Sequence, residues 1–442
     1  MSDTRVWKCN AGRFTGVVEG NVIHLLGIRY AAAPRYQPPV PYTYPAGVHA
    51  MTVPAPMAIQ APSPTVAALL GTGYSKVAQE ESCQYLSLTV PADVRPGERL
   101  PVMLWIHGGS YRDGGCDQYG RMPLVSEGRV IVVGANYRLG VLGFVRDRAG
   151  NLANLGLLDL IAAMHWIRAN IVAFGGDPEN VTIFGQSAGA DAVRSLMLAR
   201  GTDHLYRRAI MESDPLGLMT GREHMDREVL ERFNRVPVDA SVAELRRAQA
   251  DIIAHVPEKS IARHMVFGPH LGVDPLPAAA DVSARWDEVA PAHELLIGSN
   301  TRELAAYIAG RPALIALDRF PLTRPLFERV LRGYGERIFG TGTRRFARDY
   351  RSHGGTVFRY VFSWYDAESA FGACHALDTV LLFDAGKVQP DAAALMGLPP
   401  AKVKQIGAPL RKIWTDFART GTVSRTSIPG MIDIEPVPQG AR

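Results

Sequence analysis

The order of apolar and polar positions along the chain predicts strands that alternate with helices. Residues 102–106 and 130–133 are continuous apolar runs, as expected of strands that are buried on both faces. Residues 157–174 carry apolar side chains at helical spacing, which predicts a helix that covers one face of a sheet. Further strand candidates are residues 181–184, 207–212, 295–299 and 357–362. We therefore predict an α/β fold with a mostly parallel central sheet and helices on both faces.

Two charged helical stretches interrupt this alternation. Residues 221–259 and the arginine-rich residues 305–351 have helical patterns and supply no sheet strand. We predict that residues 1–442 form a single domain, in which lid-like insertions at about 215–290 and 305–352 make a reduced helical lid. Such a lid would lie over the carboxyl ends of the parallel strands, where ligands bind in sheets of this kind.

The bulk composition excludes several classes of protein. The 442 residues are 47% hydrophobic and 21% charged, which is ordinary for a globular protein. The net charge of +5 is scattered along the chain, which indicates a solvated surface and no nucleic-acid partner. Residues 1–10 have no apolar core and predict no signal peptide, and no uninterrupted apolar stretch approaches about 18 residues. We expect a cytoplasmic protein without a membrane anchor.

Neither a metal site nor a cofactor site is indicated. The sequence has no H-E-x-x-H motif, no Cys and His cluster at ligand spacing, no P-loop and no G-x-G-x-x-G motif after a strand. The four cysteines, Cys9, Cys83, Cys116 and Cys374, lie far apart and are expected to be free thiols. The sequence leaves the oligomeric state open.

Residues 185–189 read G-Q-S-A-G and lie between a predicted strand and a predicted helix at 190–198. A G-x-S-x-G motif in this context is the nucleophile elbow of α/β-hydrolases, a sharp turn that presents a serine above the sheet edge. Gly185 and Gly189 carry no Cβ and so relieve the crowding on both sides of Ser187. On five residues alone, a simple Gly-Ser turn is an equal explanation. The flanking strand and helix favour Ser187 as a nucleophile.

A nucleophilic serine needs a base and an acid that orients the base. In this fold the order along the chain is nucleophile, acid, base. We predict Glu303 as the acid, because it follows the strand candidate 295–299, and His375 as the base, because it lies in a small-residue loop. The other acids considered are Asp274, Glu294, Asp378 and Asp384. Histidines in charged helical segments are expected to be solvated, namely His224, His255 and His264.

The nucleophile also needs hydrogen-bond donors for the oxyanion that develops on the substrate. The motif W-I-H-G-G at 105–109 places Gly108 and Gly109 after a buried strand, upstream of the elbow. We predict that their N–H groups and that of Ala188 form the oxyanion hole, and that His107 orders the loop. A plain glycine turn is the alternative.

Supporting residues follow from the same topology. Ser213 ends the strand after the elbow helix and is predicted to hydrogen-bond beneath the triad, with an ordinary strand-end serine as the alternative. Tyr111, Trp364 and Phe371 are candidate pocket walls, with core aromatic residues as the alternative.

Residues 174–189 resemble the serine signature of the type-B carboxylesterases, the family that also holds cholinesterases and bacterial esterases. Six further motifs agree in family order over nearly the whole chain: G-I-R-Y-A at Gly27, W-I-H-G-G at Trp105, N-Y-R-L-G-V-L-G-F at Asn136, N-L-G-L-L-D at Asn154, I-G-S-N-T-R-E at Ile297 and W-T-D-F-A-R-T-G at Trp414. The resemblance implies an α/β-hydrolase fold. It assigns nucleophile, acid and base to Ser187, Glu303 and His375, and the oxyanion hole to Gly108, Gly109 and Ala188.

The chain departs from the family pattern at several positions. Cys83 pairs in secreted relatives but has no nearby upstream cysteine here. Ser110 stands where a third Gly or Ala is usual, Gln186 replaces the more common Glu, and Asp214 replaces a common Gly. The segment between Glu303 and His375 is shorter than in most relatives, which implies a reduced lid.

The sequence therefore predicts a serine carboxylic-ester hydrolase that acts on small to medium esters through an acyl-enzyme on Ser187. Its expected partner is a small-molecule ester. Acyl transfer and peptide hydrolysis share this chemistry and stay open as variants. A non-catalytic binding or adhesion-type member of the same fold is the alternative from another class, although such members lack part of the triad and this chain keeps all three positions.

Overall fold

The computed structural model describes residues 5–61, 77–146, 153–219, 221–256, 261–308, 311–366, 369, 371–383, 398–423 and 426–440. Within these ranges the strands are β1 (Trp7–Cys9), β2 (Gly12–Thr15), β3 (Val17–Glu19), β4 (Val22–Arg29), β5 (Ala31–Ala32), β6 (Val40–Pro41), β7 (His49–Ala50), β8 (Met57–Ala58), β9 (Gln79–Glu80), β10 (Tyr85–Pro91), β11 (Leu100–Ile106), β12 (Ile131–Ala135), β13 (Gly176–Gln186), β14 (Arg208–Glu212), β15 (Glu294–Asn300), β16 (Thr356–Phe362), β17 (Thr426–Ile428) and β18 (Ile432–Pro436). The α-helices are α1 (Met122–Gly128), α2 (Gly140–Gly143), α3 (Leu155–Asn170), α4 (Ala188–Leu198), α5 (Glu223–Phe233), α6 (Val242–His255), α7 (Val282–Val289), α8 (Pro312–Arg319), α9 (Arg324–Gly335), α10 (Thr341–Ser352), α11 (Leu377–Leu382) and α12 (Pro400–Thr420).

Eleven strands form one sheet in the order β17-β18-β16-β15-β14-β13-β11-β12-β10-β4-β3. The six strands from β16 to β12 are parallel to one another. The strands on both margins pair antiparallel. The predicted parallel sheet is therefore its centre, and the six predicted strands all lie there. The antiparallel margins were missed because polar residues interrupt them, so they give no continuous apolar run, even in β10, which is almost entirely buried.

Successive residues along each central strand lie on opposite faces of the sheet. Leu104 and Ile183 belong to one apolar cluster, which packs against α3 and α4. Trp105 and Phe184, the next residues along, belong to a second cluster, which packs against α12. This alternation follows from the two-residue period of a strand. It confirms that helices cover both faces.

The segment Leu155–Phe174 is, within the described ranges, the one helical span that is long and apolar enough to cross a membrane by length and composition. It consists of α3 and the 3₁₀ turn Ile171–Phe174. More than half of it is buried inside the fold, as in a core helix.

The predicted insertions contain α5 to α7 and α8 to α10. Helix α7 packs against α4, and α10 packs against β15 and β16. These two helices therefore belong to the layer that covers the sheet. A lid function for the other helices, and the single-domain organisation, stay predictions.

Candidate active site

Ser187 lies at the sharp turn between β13 and α4, with φ 58° and ψ −124°. A non-glycine residue in this region is strained and is held there by its surroundings. A Cβ on Gly189 would lie 2.1 Å from the Ile106 carbonyl oxygen, and a Cβ on Gly185 would lie 2.6 Å from the Gly189 carbonyl carbon. The turn therefore requires glycine at both positions, as the motif predicts.

The structure brings Glu303 and His375 into contact at the carboxyl ends of the parallel strands. His375 Nδ1 is 2.5 Å from Glu303 Oε2, and both residues are buried. A carboxylate only accepts hydrogen bonds, so Nδ1 carries the proton and Nε2 is left as an acceptor. Ser213 Oγ donates to Glu303 Oε1 at 2.6 Å, and the Asn300 N–H donates to the same oxygen at 2.7 Å. Ser213 thus has the position predicted for it.

The free nitrogen of the histidine faces Gln186. Gln186 Nε2 is 2.9 Å from His375 Nε2. Within the described part of the chain, Ser187 Oγ makes no hydrogen bond, so His375 Nε2 contacts Gln186 and is not hydrogen-bonded to Ser187. Sequence reasoning missed this contact, and its only signal was the departure from the family pattern at this position.

Gly108 and Gly109 follow β11 and lie against the elbow. A Cβ on Gly108 would lie 3.2 Å from the Ser187 Cβ, and Gly109 has φ 110°. Ala188 is the first residue of α4, whose first N–H groups have no partner within the helix and lie at the positive end of its dipole. The three predicted oxyanion donors thus come from the two segments that flank the nucleophile.

His107 orders this loop. Its Nδ1 donates to the Gly108 carbonyl at 2.9 Å, and Tyr137 OH donates to the His107 carbonyl at 2.8 Å. The two rings stack with centroids 4.7 Å apart. Burial lowers the pKa of His107 to about 4, so the ring is neutral near neutral pH.

Two of the acids considered as alternatives to Glu303, namely Asp378 and Glu294, have other partners in the structure. Asp378 accepts from Asn300 Nδ2 at 3.1 Å and from Tyr360 OH at 3.2 Å. Burial and the nearby Glu303 charge raise the pKa of Asp378 to about 6. Glu294 pairs with Arg208 at 3.2 Å. Asp384 lies outside the described residues.

Aromatic side chains surround the His375 ring, but they are not all those expected from the sequence. Phe339 and Tyr307 lie with ring centroids 4.9 and 5.7 Å from it. The prediction for Tyr111 was wrong, because it is fully buried and its hydroxyl donates to Asp191 at 2.8 Å. Of the other wall candidates, Phe371 is buried and Trp364 is half-buried.

Three further sequence observations are resolved by the structure. His264 was expected to be solvated, but it is half-buried with its ring edge-on to Tyr307 at 4.9 Å. Asp214 accepts from Arg194 Nε at 3.1 Å, so its unusual carboxylate has a partner. Cys83 is a buried free thiol.

Within the described ranges no three His, Cys, Asp or Glu side chains are placed to hold a metal ion.

A serine elbow, a His–Glu pair and a glycine loop at the carboxyl edge of a parallel sheet define the α/β-hydrolase class. Residues 3–314 match the carboxylesterase family, and the chain belongs to that family. It is 35% identical over 434 residues to a probable N-octanoylanthranilate hydrolase of Rhodococcus erythropolis, covering 96% of this chain and 94% of the relative.

Two further likenesses agree with this assignment. The chain is 30% identical over 454 aligned positions to para-nitrobenzyl esterase of Bacillus subtilis strain 168, covering 94% of this chain and 90% of the relative. The solved structure of a PNB esterase superposes with a TM-score of 0.79 at 28% identity, covering 98% of this chain and 97% of that one. The protein is a carboxylic ester hydrolase.

Proposed function

We propose that the protein hydrolyses esters through an acyl-enzyme on Ser187, with His375 as general base and Glu303 as the acid that orients it. The observation that carries the proposal is the 2.5 Å contact between His375 Nδ1 and Glu303 Oε2, next to the elbow that holds Ser187. This contact leaves the lone pair of Nε2 directed into the site, where a serine proton is to be taken up.

In the first half-reaction, Ser187 Oγ attacks the ester carbonyl carbon as His375 Nε2 takes its proton. Because Gln186 lies at Nε2 in the free site, its amide must give way before this step. The N–H groups of Gly108, Gly109 and Ala188 are placed to stabilise the oxyanion. The tetrahedral intermediate then expels the alcohol, which receives its proton from the His375 imidazolium.

In the second half-reaction, water attacks the acyl-enzyme and His375 takes its proton. The imidazolium returns this proton to Ser187 Oγ as the carboxylic acid leaves. In both halves Glu303 stabilises the imidazolium, and Ser213 and Asn300 hold the carboxylate in place. An alcohol in place of water would give acyl transfer by the same steps.

The proposed substrates are small to medium esters. The short segment between Glu303 and His375 and the aromatic rings beside the base favour a pocket of limited depth. The relative named as a probable N-octanoylanthranilate hydrolase matches 96% of this chain. This likeness extends the proposal to medium acyl chains on aromatic leaving groups.

The test combines turnover with labelling by a serine-directed fluorophosphonate. Ser187→Ala is expected to lose about 10⁶-fold in kcat and all labelling, because it removes the hydroxyl that is proposed to form the acyl-enzyme. Ser195→Ala is the matched control, because Ser195 lies two turns further along the same helix and is buried. Labelling or near-normal turnover of the Ser187 variant would require another nucleophile.

A further inference from the structure

The positive charge of the chain is concentrated in one segment. Residues 305–352 hold ten arginines, no lysine and four acidic residues, so this segment has a net charge of +6. The whole chain has a net charge of +5. The expectation that the charge is scattered was therefore wrong for this segment, which forms α8, α9 and α10. A surface built from these helices attracts negatively charged partners.

The acidic side chains of α8 and α9 are turned towards the protein. Asp318 is buried and pairs with Arg302, the residue before Glu303. Glu328 is half-buried and accepts from Arg302 Nε and from Arg332 Nε, both at 2.8 Å. Three exposed arginines have no side-chain hydrogen bond or ion pair within the described part of the chain, namely Arg319, Arg324 and Arg329. The outer side of these helices is therefore positively charged.

Apolar side chains are exposed among these arginines. None of the residues of α9 is buried. Leu322, in the turn before α9, is 84% exposed, and Leu326 on α9 is 70% exposed. Val330 is also exposed, and Leu326, Arg329 and Val330 share one face of α9 because they are three and four residues apart. These four residues, which we call the outer patch, combine apolar surface with positive charge.

The helix that carries the outer patch lies at the active-site edge of the sheet. Its inner face carries Phe327 and Leu331, which pack against the second apolar cluster. Helix α9 also packs against the 3₁₀ turn Glu303–Ile308, which begins with the proposed triad acid. At the end of α9, a Cβ on Gly335 would lie 3.8 Å from the Glu303 Cβ. A partner bound at the outer patch would therefore lie one helix away from the site.

We propose that the outer patch docks the enzyme on a lipid bilayer that contains anionic lipids. Exposed apolar side chains flanked by arginines match the interface of such a bilayer, where acyl chains lie beneath negatively charged head groups. A nucleic acid offers the negative charge but no apolar layer for Leu322 and Leu326. A second copy of the chain in a two-fold pair would place the arginines of both copies against each other. Charge and apolar exposure together therefore favour the bilayer.

The experiment measures co-sedimentation of the whole enzyme with lipid vesicles, a readout that does not require turnover. Vesicles of phosphatidylcholine alone are compared with vesicles that also contain about 30% phosphatidylserine. We expect about tenfold or more tighter binding to the anionic vesicles, because each arginine near such a surface contributes about fivefold. We expect this difference to fall in 0.5 M salt, because screening weakens the attraction between exposed charges.

Single substitutions assign the binding to the outer patch. Leu326→Ser and Arg329→Gln should each weaken binding to the anionic vesicles about fivefold or more. Val53→Ser is the matched control for the leucine, because Val53 is also 70% exposed but lies beside Gly27 of β4, near the opposite margin of the sheet. Arg200→Gln is the matched control for the arginine, because this exposed arginine follows the C-terminal end of α4. All four side chains are exposed, so we expect every variant to fold.

Equal binding to both kinds of vesicle, or equal losses in the patch variants and their controls, would overturn the inference. A wild-type dimer in light scattering that Leu326→Ser dissociates, without vesicle binding, would also overturn it, because the patch would then be an interface between two copies. Turnover of 4-nitrophenyl acetate by the same samples tests the proposed function separately. An enzyme that hydrolyses this ester but binds no vesicles would overturn the inference and leave the proposed function standing.

Discussion

Replacing Glu303 with glutamine tests the base–acid pair sharply, because the donors around the carboxylate dictate how the amide must lie. Glu303 Oε1 accepts from the Asn300 N–H at 2.7 Å, while Oε2 faces His375 Nδ1 at 2.5 Å. A backbone N–H can only donate, so the amide oxygen must take the Oε1 position. The NH₂ group then faces His375 Nδ1.

This orientation disables the base. The NH₂ group donates to Nδ1, so the imidazole proton moves to Nε2, where it blocks proton uptake from Ser187. The carboxylate that stabilises the imidazolium is also lost. A change of this kind in a serine triad lowers kcat about 10⁴-fold, which corresponds to about 5 kcal/mol of activation free energy.

The assay is kcat on 4-nitrophenyl acetate at pH 7, with thermal unfolding to check the fold. Asp378→Asn is the matched control, because Asp378 is a buried acid that shares Asn300 as a partner. Its new NH₂ group would face Tyr360 OH, a hydroxyl that can turn to accept, so we expect less than a threefold loss. A Glu303→Gln enzyme within tenfold of the wild type, or an equal loss in the control, would refute the reasoning.

Two further predictions concern the pocket and the oxyanion loop. Across 4-nitrophenyl esters, kcat/KM should be higher for acetate to octanoate than for palmitate. Each further CH₂ adds about 0.8 kcal/mol of binding free energy only where an apolar wall buries it. A steady rise in kcat/KM up to palmitate would contradict this prediction and indicate a deep tunnel. The pKa of His107 is lowered to about 4 from about 6.5, so the folded protein favours the neutral ring. This preference adds at most about 3 kcal/mol to the free energy of unfolding. The contribution is complete above pH 6.5 and is lost as the pH falls towards 4. Urea unfolding at pH 7.5 and 5.0 should show a smaller pH dependence for His107→Asn than for wild type, and equal dependences would contradict this account.

The parts of the fold that sequence predicts are those set by local rules. Buried parallel strands give continuous apolar runs, so the six central strands were found, with ends shifted by a few residues. The elbow was found because strand, turn and helix are contiguous, and crowding at Gly189 admits no side chain. The marginal strands were missed because polar residues interrupt their apolar positions, as Ser87 and Thr89 do in β10.

The parts that sequence does not predict depend on which loops the sheet brings together. Tyr111 and His264 were both misjudged from their neighbours in the chain, because the contacts that bury them come from Asp191 and Tyr307. The order of the strands in the sheet determines which residues come into contact, because the loops that follow β11, β13, β15 and β16 lie side by side at the site. The contact of Gln186 with a histidine 189 positions away has the same origin. A motif can therefore predict the nucleophile, while the contacts of His375 with Gln186, Tyr307 and Phe339 follow only from the assembled sheet.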